Sequence, residues 1–279
     1  MPHSTFLLQR CCASIVLATL TGFTSPARAA PETECGTIQL AYYELGALFY
    51  RSADGSYTGI DKDVVEELER RTTCRFHTAV ESRVRIWSQL STGALDMSVS
   101  GIATPEREKF ARFIPYFTTR NYVLLHKDVP PAAHSMEGFL ADPSLMVAVV
   151  KSFRHGPAYD VWLDKLRAQK RVYEAADFDS VMRLFMARRV HAVLALPITF
   201  QPFRMREQMN ELTLIKDWSP HDKVVHGLIV SRSRVSLANF ELLEKTISAM
   251  REDGSLENIF QRHIGAELGK QMRYEERKP

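Results

Sequence analysis

From residue 37 onward, short apolar runs alternate with amphipathic stretches, the pattern of strand-helix-strand units around a largely parallel sheet. Residues 38–43 and 76–80 read as the first two strands. Between them lie a turn at Ala53-Asp54-Gly55-Ser56 and a helix over 61–71 with Val64, Val65 and Leu68 on one face. A second helix is expected over 86–95, with Thr92-Gly93 as its stop signal, and the strand 96–101 (DMSVSG) then opens onto a loop. There Thr104-Pro105-Glu106-Arg107 has the form of a helix start, with Thr as N-cap, Pro at the first helical position and Glu in the first turn.

The apolar strand 122–126 (YVLLH) is followed by the breaker-rich stretch 128–133 (DVPPAA), where a new unit begins. That unit reads as a strand over 145–150, a helix over 157–169 with Tyr159, Trp162, Leu163 and Leu166 apolar, a helix over 180–186 and a strand over 190–196. Residues 224–230 (VVHGLIV) resemble the strand at 122 and lead into a long amphipathic helix with Leu237, Phe240, Leu243, Ile247 and Met250 on its inner side. The chain thereby returns to its first unit. The expected division is one lobe from 30–125 and 224–268, a second from 126–223, and a charged, frayed tail over 269–279.

Composition narrows the class. A chain of 279 residues with 45% apolar and 25% charged positions has material for two lobes and a sizeable core. No apolar run reaches the 18 residues that a membrane span needs. At the N-terminus Arg10 precedes the apolar stretch 11–23, and Ala27-Arg28-Ala29 forms a small-residue exit, so residues 1–29 read as a cleaved export signal and the protein as periplasmic. That segment carries Arg10 and Arg28 and no acids, so its removal lowers the formal charge from +3 to +1. Such a balance argues against a nucleic-acid partner bound through phosphate neutralisation.

Export leaves two cysteines, Cys35 and Cys74, in an oxidising compartment. Each lies just before an expected strand, and if those strands are parallel neighbours both sulfurs sit at the same end, within reach of a disulfide; the alternative is two separate thiols. Two distant cysteines and scattered histidines offer no ligand-spaced cluster, so neither a metal nor a cofactor is expected.

Four segments, in order, resemble one family, the extracytoplasmic solute-binding proteins of polar amino-acid ABC importers, family 3. They are residues 54–63 (DGSYTGIDKD); Trp87-Ser88-Gln89-Leu90 with Gly93-Ala94-Leu95-Asp96; residues 100–107 (SGIATPER) with Phe113 and Pro115-Tyr116-Phe117; and Asp253-Gly254-Ser255-Leu256 through Ile259 and Gly265. The resemblance spans about residues 36–265, strongest in the first unit and the C-terminal part. It implies a type II periplasmic binding fold, two α/β lobes joined by two crossing strands, closing on a small-molecule ligand. It also implies a monomer that delivers its solute to an ABC permease, without enzymatic activity.

Carried over residue by residue, the resemblance gives Arg107 the ligand's carboxylate and Gly101 a backbone contact. It departs at Ile102-Ala103, where a Ser or Thr is usual. It departs again at Lys151-Ser152-Phe153-Arg154-His155, which replaces a Gly-Ser/Thr loop, and at Leu196, where an acidic residue would hold an ammonium group. Burying an unpaired ammonium is costly, so an ordinary amino acid fits this site poorly. Arg154 with Lys151 and His155 instead points to an anion with more than one acidic group. Tyr42 and Tyr43 end the first strand, Arg83, Arg85 and Trp87 follow the second, and all are placed at the cleft, with one of the two arginines reaching the ligand. The expected ligand set is Tyr42, Tyr43, Arg85, Trp87, Gly101, Ile102, Arg107, Ser152, Phe153 and Arg154. Two other functions are compatible with the fold: a dehydratase-like enzyme using Glu44 or His155, and a receptor reporting occupancy to a sensor.

Overall fold

The computed structural model describes residues 1–3, 35–204 and 207–275. Apart from its first three residues, the expected export signal lies outside them. The chain enters through β1 (Thr37–Tyr42), a small ribbon of β2 (Tyr50–Arg51) and β3 (Tyr57–Thr58), α1 (Ile60–Arg71), β4 (Arg75–Val80), α2 (Arg83–Thr92), β5 (Met97–Gly101) and the long β6 (Ala111–Arg120). It crosses at Asn121 into β7 (Tyr122–His126), α3 (Met136–Ala141), β8 (Val147–Val150), α4 (Pro157–Ala168), β9 (Val172–Ala175), α5 (Phe178–Met186), β10 (Ala192–Ala195), α6 (Pro197–Arg204), α7 (Glu207–Leu212) and β11 (Thr213–Lys216). It returns through β12 (Lys223–Ser231) to α8 (Leu237–Glu252), α9 (Ser255–Ile264) and α10 (Ala266–Gln271).

Two five-stranded sheets result, ordered β4-β1-β5-β12-β6 and β11-β7-β10-β8-β9. Each is mixed rather than mostly parallel. β1 runs parallel to β4 and β5, and β8 parallel to β9 and β10, because crossover helices join these strands. β12 and β7 arrive from the opposite lobe and pair antiparallel, β12 with β5 and β6, and β7 with β10 and β11. Two expected boundaries move. β7, assigned by its sequence to the first lobe, lies in the second sheet, so the lobes divide at Asn121. Residues 269–275 are no frayed tail: Gly269–Gln271 complete α10, Met272 is buried, and Thr118 donates to the Met272 carbonyl at 2.9 Å.

The local signals account for most elements. Val64, Val65 and Leu68 are buried on α1, and Gly93, at φ 72°, ends α2 by donating to the Gln89 and Leu90 carbonyls. Pro157 opens α4, whose Tyr159, Trp162, Leu163 and Leu166 are buried as the pattern requires. On α8 Leu243, Ile247 and Met250 are buried, whereas Leu237 is exposed and Phe240 half-buried, since the first turn overhangs the sheet. Thr104-Pro105-Glu106-Arg107 starts no α-helix. It gives a single 3-10 turn over Arg107–Lys109, because β6 begins at Ala111 and leaves no room for more. At the edge of the first lobe Gly46, at φ 50°, lies against the second: a Cβ there would stand 2.5 Å from the Ile198 carbonyl oxygen and 2.6 Å from the Thr199 Cα.

Cys35 and Cys74 form a disulfide, each just ahead of the paired residues Thr37 and Arg75 of β1 and β4. Closing a loop with a sequence separation of 39 stabilises the fold by about 4 kcal/mol in the chain-entropy model. Melting in the presence of reductant, or of Cys74→Ser, is therefore expected to fall by roughly 8–16 °C for a protein of this size. An unchanged melting temperature would show that the reduced chain keeps these ends ordered.

Candidate functional site

The carboxyl ends of the two sheets face each other, and between them is a cavity of about 410 Å3 lined by Trp87, Arg107 and Phe110 from the first lobe and by Lys151, Ser152, Phe153, Arg154, Arg167 and Glu174 from the second. Four cations thus confront one carboxylate. Glu174 is already held by Arg167 at 3.0 Å, and Arg167 also reaches Asp164 at 2.9 Å. Arg154 has only a loose pairing, 3.9 Å from Asp160, and Lys151 has no ion-pair partner among the described residues. The cavity wall carries net positive charge available to a ligand.

Arg107 is its best-defined group. Its guanidinium lies 3.8 Å from the centre of the Trp87 ring and donates to the Ile102 carbonyl at 2.9 Å and, across the lobes, to the Ser152 carbonyl at 2.8 Å. No carboxylate is among these partners. Burial and the charges of Arg83 and Arg154 pull its pKa down to about 9, the mark of a cation held without a counter-ion. Because only a 3-10 turn follows, the attraction for an anion comes from side-chain charge rather than from a helix dipole.

Of the other expected ligand residues, Trp87, Ser152, Phe153 and Arg154 line the cavity, and Ile102 contributes through its carbonyl. Tyr43 stands one layer behind, donating its hydroxyl to the Ser100 carbonyl at 3.1 Å. Three residues lie elsewhere. Tyr42 is buried in the first lobe, stacked 4.4 Å from Phe49, and Gly101 is inside the sheet opposite Gly227. Arg85 is turned to solvent beside Glu81 at 3.3 Å. Its neighbour Arg83 takes the inward place, 3% exposed, with its guanidinium 4.2 Å from the Tyr43 ring centre and 4.9 Å from that of Phe153 in the other lobe.

Phe110, Arg167 and Glu174 carry no local sequence signal, since packing of α4 and β9 brings the last two to the cavity. Asp61 was legible only as part of the 54–63 motif. Wholly buried, it accepts from Ser100 Oγ at 2.7 and 2.8 Å and from the Tyr116 hydroxyl at 2.5 Å, and burial raises its pKa to about 7. The two candidate catalytic groups stand off the cavity. Glu44 is exposed, and His155 is buried with its Nδ1 2.8 Å from Asn121 Oδ1, its pKa driven down to about 3 by desolvation and by the charges of Arg167 and Arg83.

Two mixed α/β lobes, crossed by two strands and enclosing a site at the sheets' carboxyl ends, define the two-lobed type II class of periplasmic binding protein. Within that class, a family model described as bacterial extracellular solute-binding proteins, family 3, matches residues 44–266, and the chain belongs to this family. The fold resembles an ancestral arginine-binding protein bound to arginine, at TM-score 0.70 and 17% identity, covering 83% of this chain and 100% of that one. It also resembles the arginine-, lysine-, histidine-binding protein ArtJ from Geobacillus stearothermophilus, at TM-score 0.68 and 14% identity over 82% and 95% of the two chains. A third similar structure is the ancestral amino acid-binding protein AncCDT-1, a precursor of cyclohexadienyl dehydratase, at TM-score 0.67 and 18% identity over 81% and 95%. No curated protein matches the chain.

Proposed function

We propose that this protein captures a small organic acid between its lobes, outside the cytoplasm, and delivers it to an ABC permease. One observation carries the reading: Arg107, bonded only to carbonyl oxygens, holds an unneutralised charge on the wall of an interlobe cavity that has four cations and one already paired acid. A guanidinium in that setting suits a carboxylate, which it can hold through two parallel hydrogen bonds. An α-amino group finds no such support, since Leu196, where an acid would hold it, is buried and apolar. Closure follows from the ligand's better contacts in the closed state, where Arg107 already touches the second lobe through Ser152. Unlike the arginine-binding relatives, the cationic wall disfavours basic amino acids.

Thermal melting against carboxylic acids and against amino acids tests the reading. An acid at ~100 times its dissociation constant adds about 2.7 kcal/mol, which raises the melting temperature by roughly 5–10 °C. Arg107→Ala is expected to abolish that rise. A rise with arginine or lysine instead, or one that survives Arg107→Ala, would overturn the assignment.

A further inference from the structure

Arg83 is the first residue of α2, 3% exposed, and none of its three guanidinium nitrogens has a hydrogen-bond acceptor among the described residues. Two rings, Tyr43 from the first lobe and Phe153 from the second, cover the guanidinium at 4.2 and 4.9 Å. Aromatic faces attract a cation but accept none of its N–H bonds, so the stacking leaves the charge and the donors unmet. Its position deepens the deficit, because α2 has no acidic residue in its first turn and the helix's own free N–H groups point the same way. The buried carboxylate within its field, Asp61, has its oxygens taken by Ser100 and Tyr116.

Arg83 adjoins the interlobe site, behind Phe153, without itself lining the cavity. Trp87, one turn further along the same face of α2, carries the Arg107 guanidinium, and Phe153, which covers Arg83, lines the cavity beside Arg107. Two guanidiniums therefore flank one aromatic wall, and each opposes the other's charge. One acidic group satisfies one of them. His155, packed 4.9 Å from Phe153, has a buried Nε2 that is likewise without a partner.

Resting on the organic-acid reading of the same site, we infer that Arg83 is a specificity-determining residue and that the solute is a dicarboxylate, one carboxylate held by Arg107 and the other by Arg83, with its spacer along Phe153. Monocarboxylates leave Arg83 unmet and bind weakly. Basic amino acids meet a second buried cation where their own would lie.

Calorimetric titration with the series malonate, succinate, glutarate and adipate, each beside the monocarboxylate of equal length, tests this. The wild type is expected to bind at least one dicarboxylate about 100-fold more tightly than its monocarboxylate partner. Arg83→Gln is expected to erase most of that ratio by weakening dicarboxylates far more than monocarboxylates, and Arg107→Ala to weaken both. Melting without solute separates recognition from structure: neutralising an unmet buried charge should leave the melting temperature of Arg83→Gln unchanged or higher, and Arg83→Lys, which keeps the charge without the planar donors, should bind dicarboxylates poorly. If no dicarboxylate exceeds its partner tenfold, or Arg83→Gln melts many degrees lower without solute, Arg83 is structural and the inference fails. Binding of single carboxylates that depends on Arg107 would then still support the organic-acid reading. Absence of binding by every acid would remove both.

Discussion

Lowering the pH from 7 to 5 is expected to destabilise the protein by about 2 kcal/mol, a fall in melting temperature of roughly 4–8 °C, well before its exposed carboxylates protonate. Two buried imidazoles drive the change. His155 and His226 are held neutral by desolvation, and both are pulled down to about 3. His155 lies within the fields of Arg167 and Arg83 and bonds Asn121; His226 lies near Arg83, 2.9 Å from the Thr119 hydroxyl and stacked on Phe117. A histidine whose folded pKa is depressed contributes stability that is complete above its unfolded value near 6.5 and is lost as pH falls toward the folded value. Between pH 7 and 5 each costs about 2 kcal/mol. Asp61 works in the opposite sense, returning about 2 kcal/mol over the same interval, because its folded pKa near 7 lies above its unfolded one. His226→Gln, which keeps a partner for Thr119 and removes the titration, should flatten the profile. Equal acid sensitivity in that variant would place the effect elsewhere.

The second large effect is on Asp61. Asp61→Asn leaves a side chain that still accepts from Tyr116 and pairs with Ser100 Oγ but no longer takes up a proton on folding. At pH 8 the wild type bears the cost of a buried carboxylate, on the order of 4 kcal/mol, and the variant should melt roughly 8–16 °C higher. Between pH 7 and 5 the variant loses the compensation Asp61 supplies, so its stability should fall by about 4 kcal/mol, twice the wild-type loss. Melting curves of the two proteins at pH 5 and pH 8 check both expectations. Parallel profiles would mean that Asp61 is ionised in the folded protein across this range.

The elements with clean periodicity were legible: α1 and α4 bury the faces their patterns mark, and the pairing of Cys35 with Cys74 follows from each preceding one of two parallel neighbours. Arg107 was legible because a distinctive block of sequence surrounds it. Arg83 and Arg85 were exchanged for a physical reason. Two residues apart on a helix are turned by about 200°, so which one faces inward depends on where the helix begins. A start at 86 says nothing about either, whereas the observed start, with Ser82 Oγ accepting from the Arg85 amide, turns Arg83 inward. Ser82 was the available signal. The sheet to which β7 belongs was illegible, since a short strand with four apolar residues and His126 suits either lobe and only the antiparallel pairing with β10 and β11 decides it.

Gly46 gives the lobes a seam without teeth. Where Arg107 and Arg83 tie the two halves through donors and rings, the meeting of Gly46 with Ile198 and Thr199 is main chain against main chain. At Gly46 itself no side chain of the first lobe stands between the two backbones. The seam lies beside the crossing strand, since Ala47 and Ile198 share a hollow with Tyr122. On the proposed reading, opening at Gly46 would part main chain from main chain, and recognition of the solute would fall to the charged side.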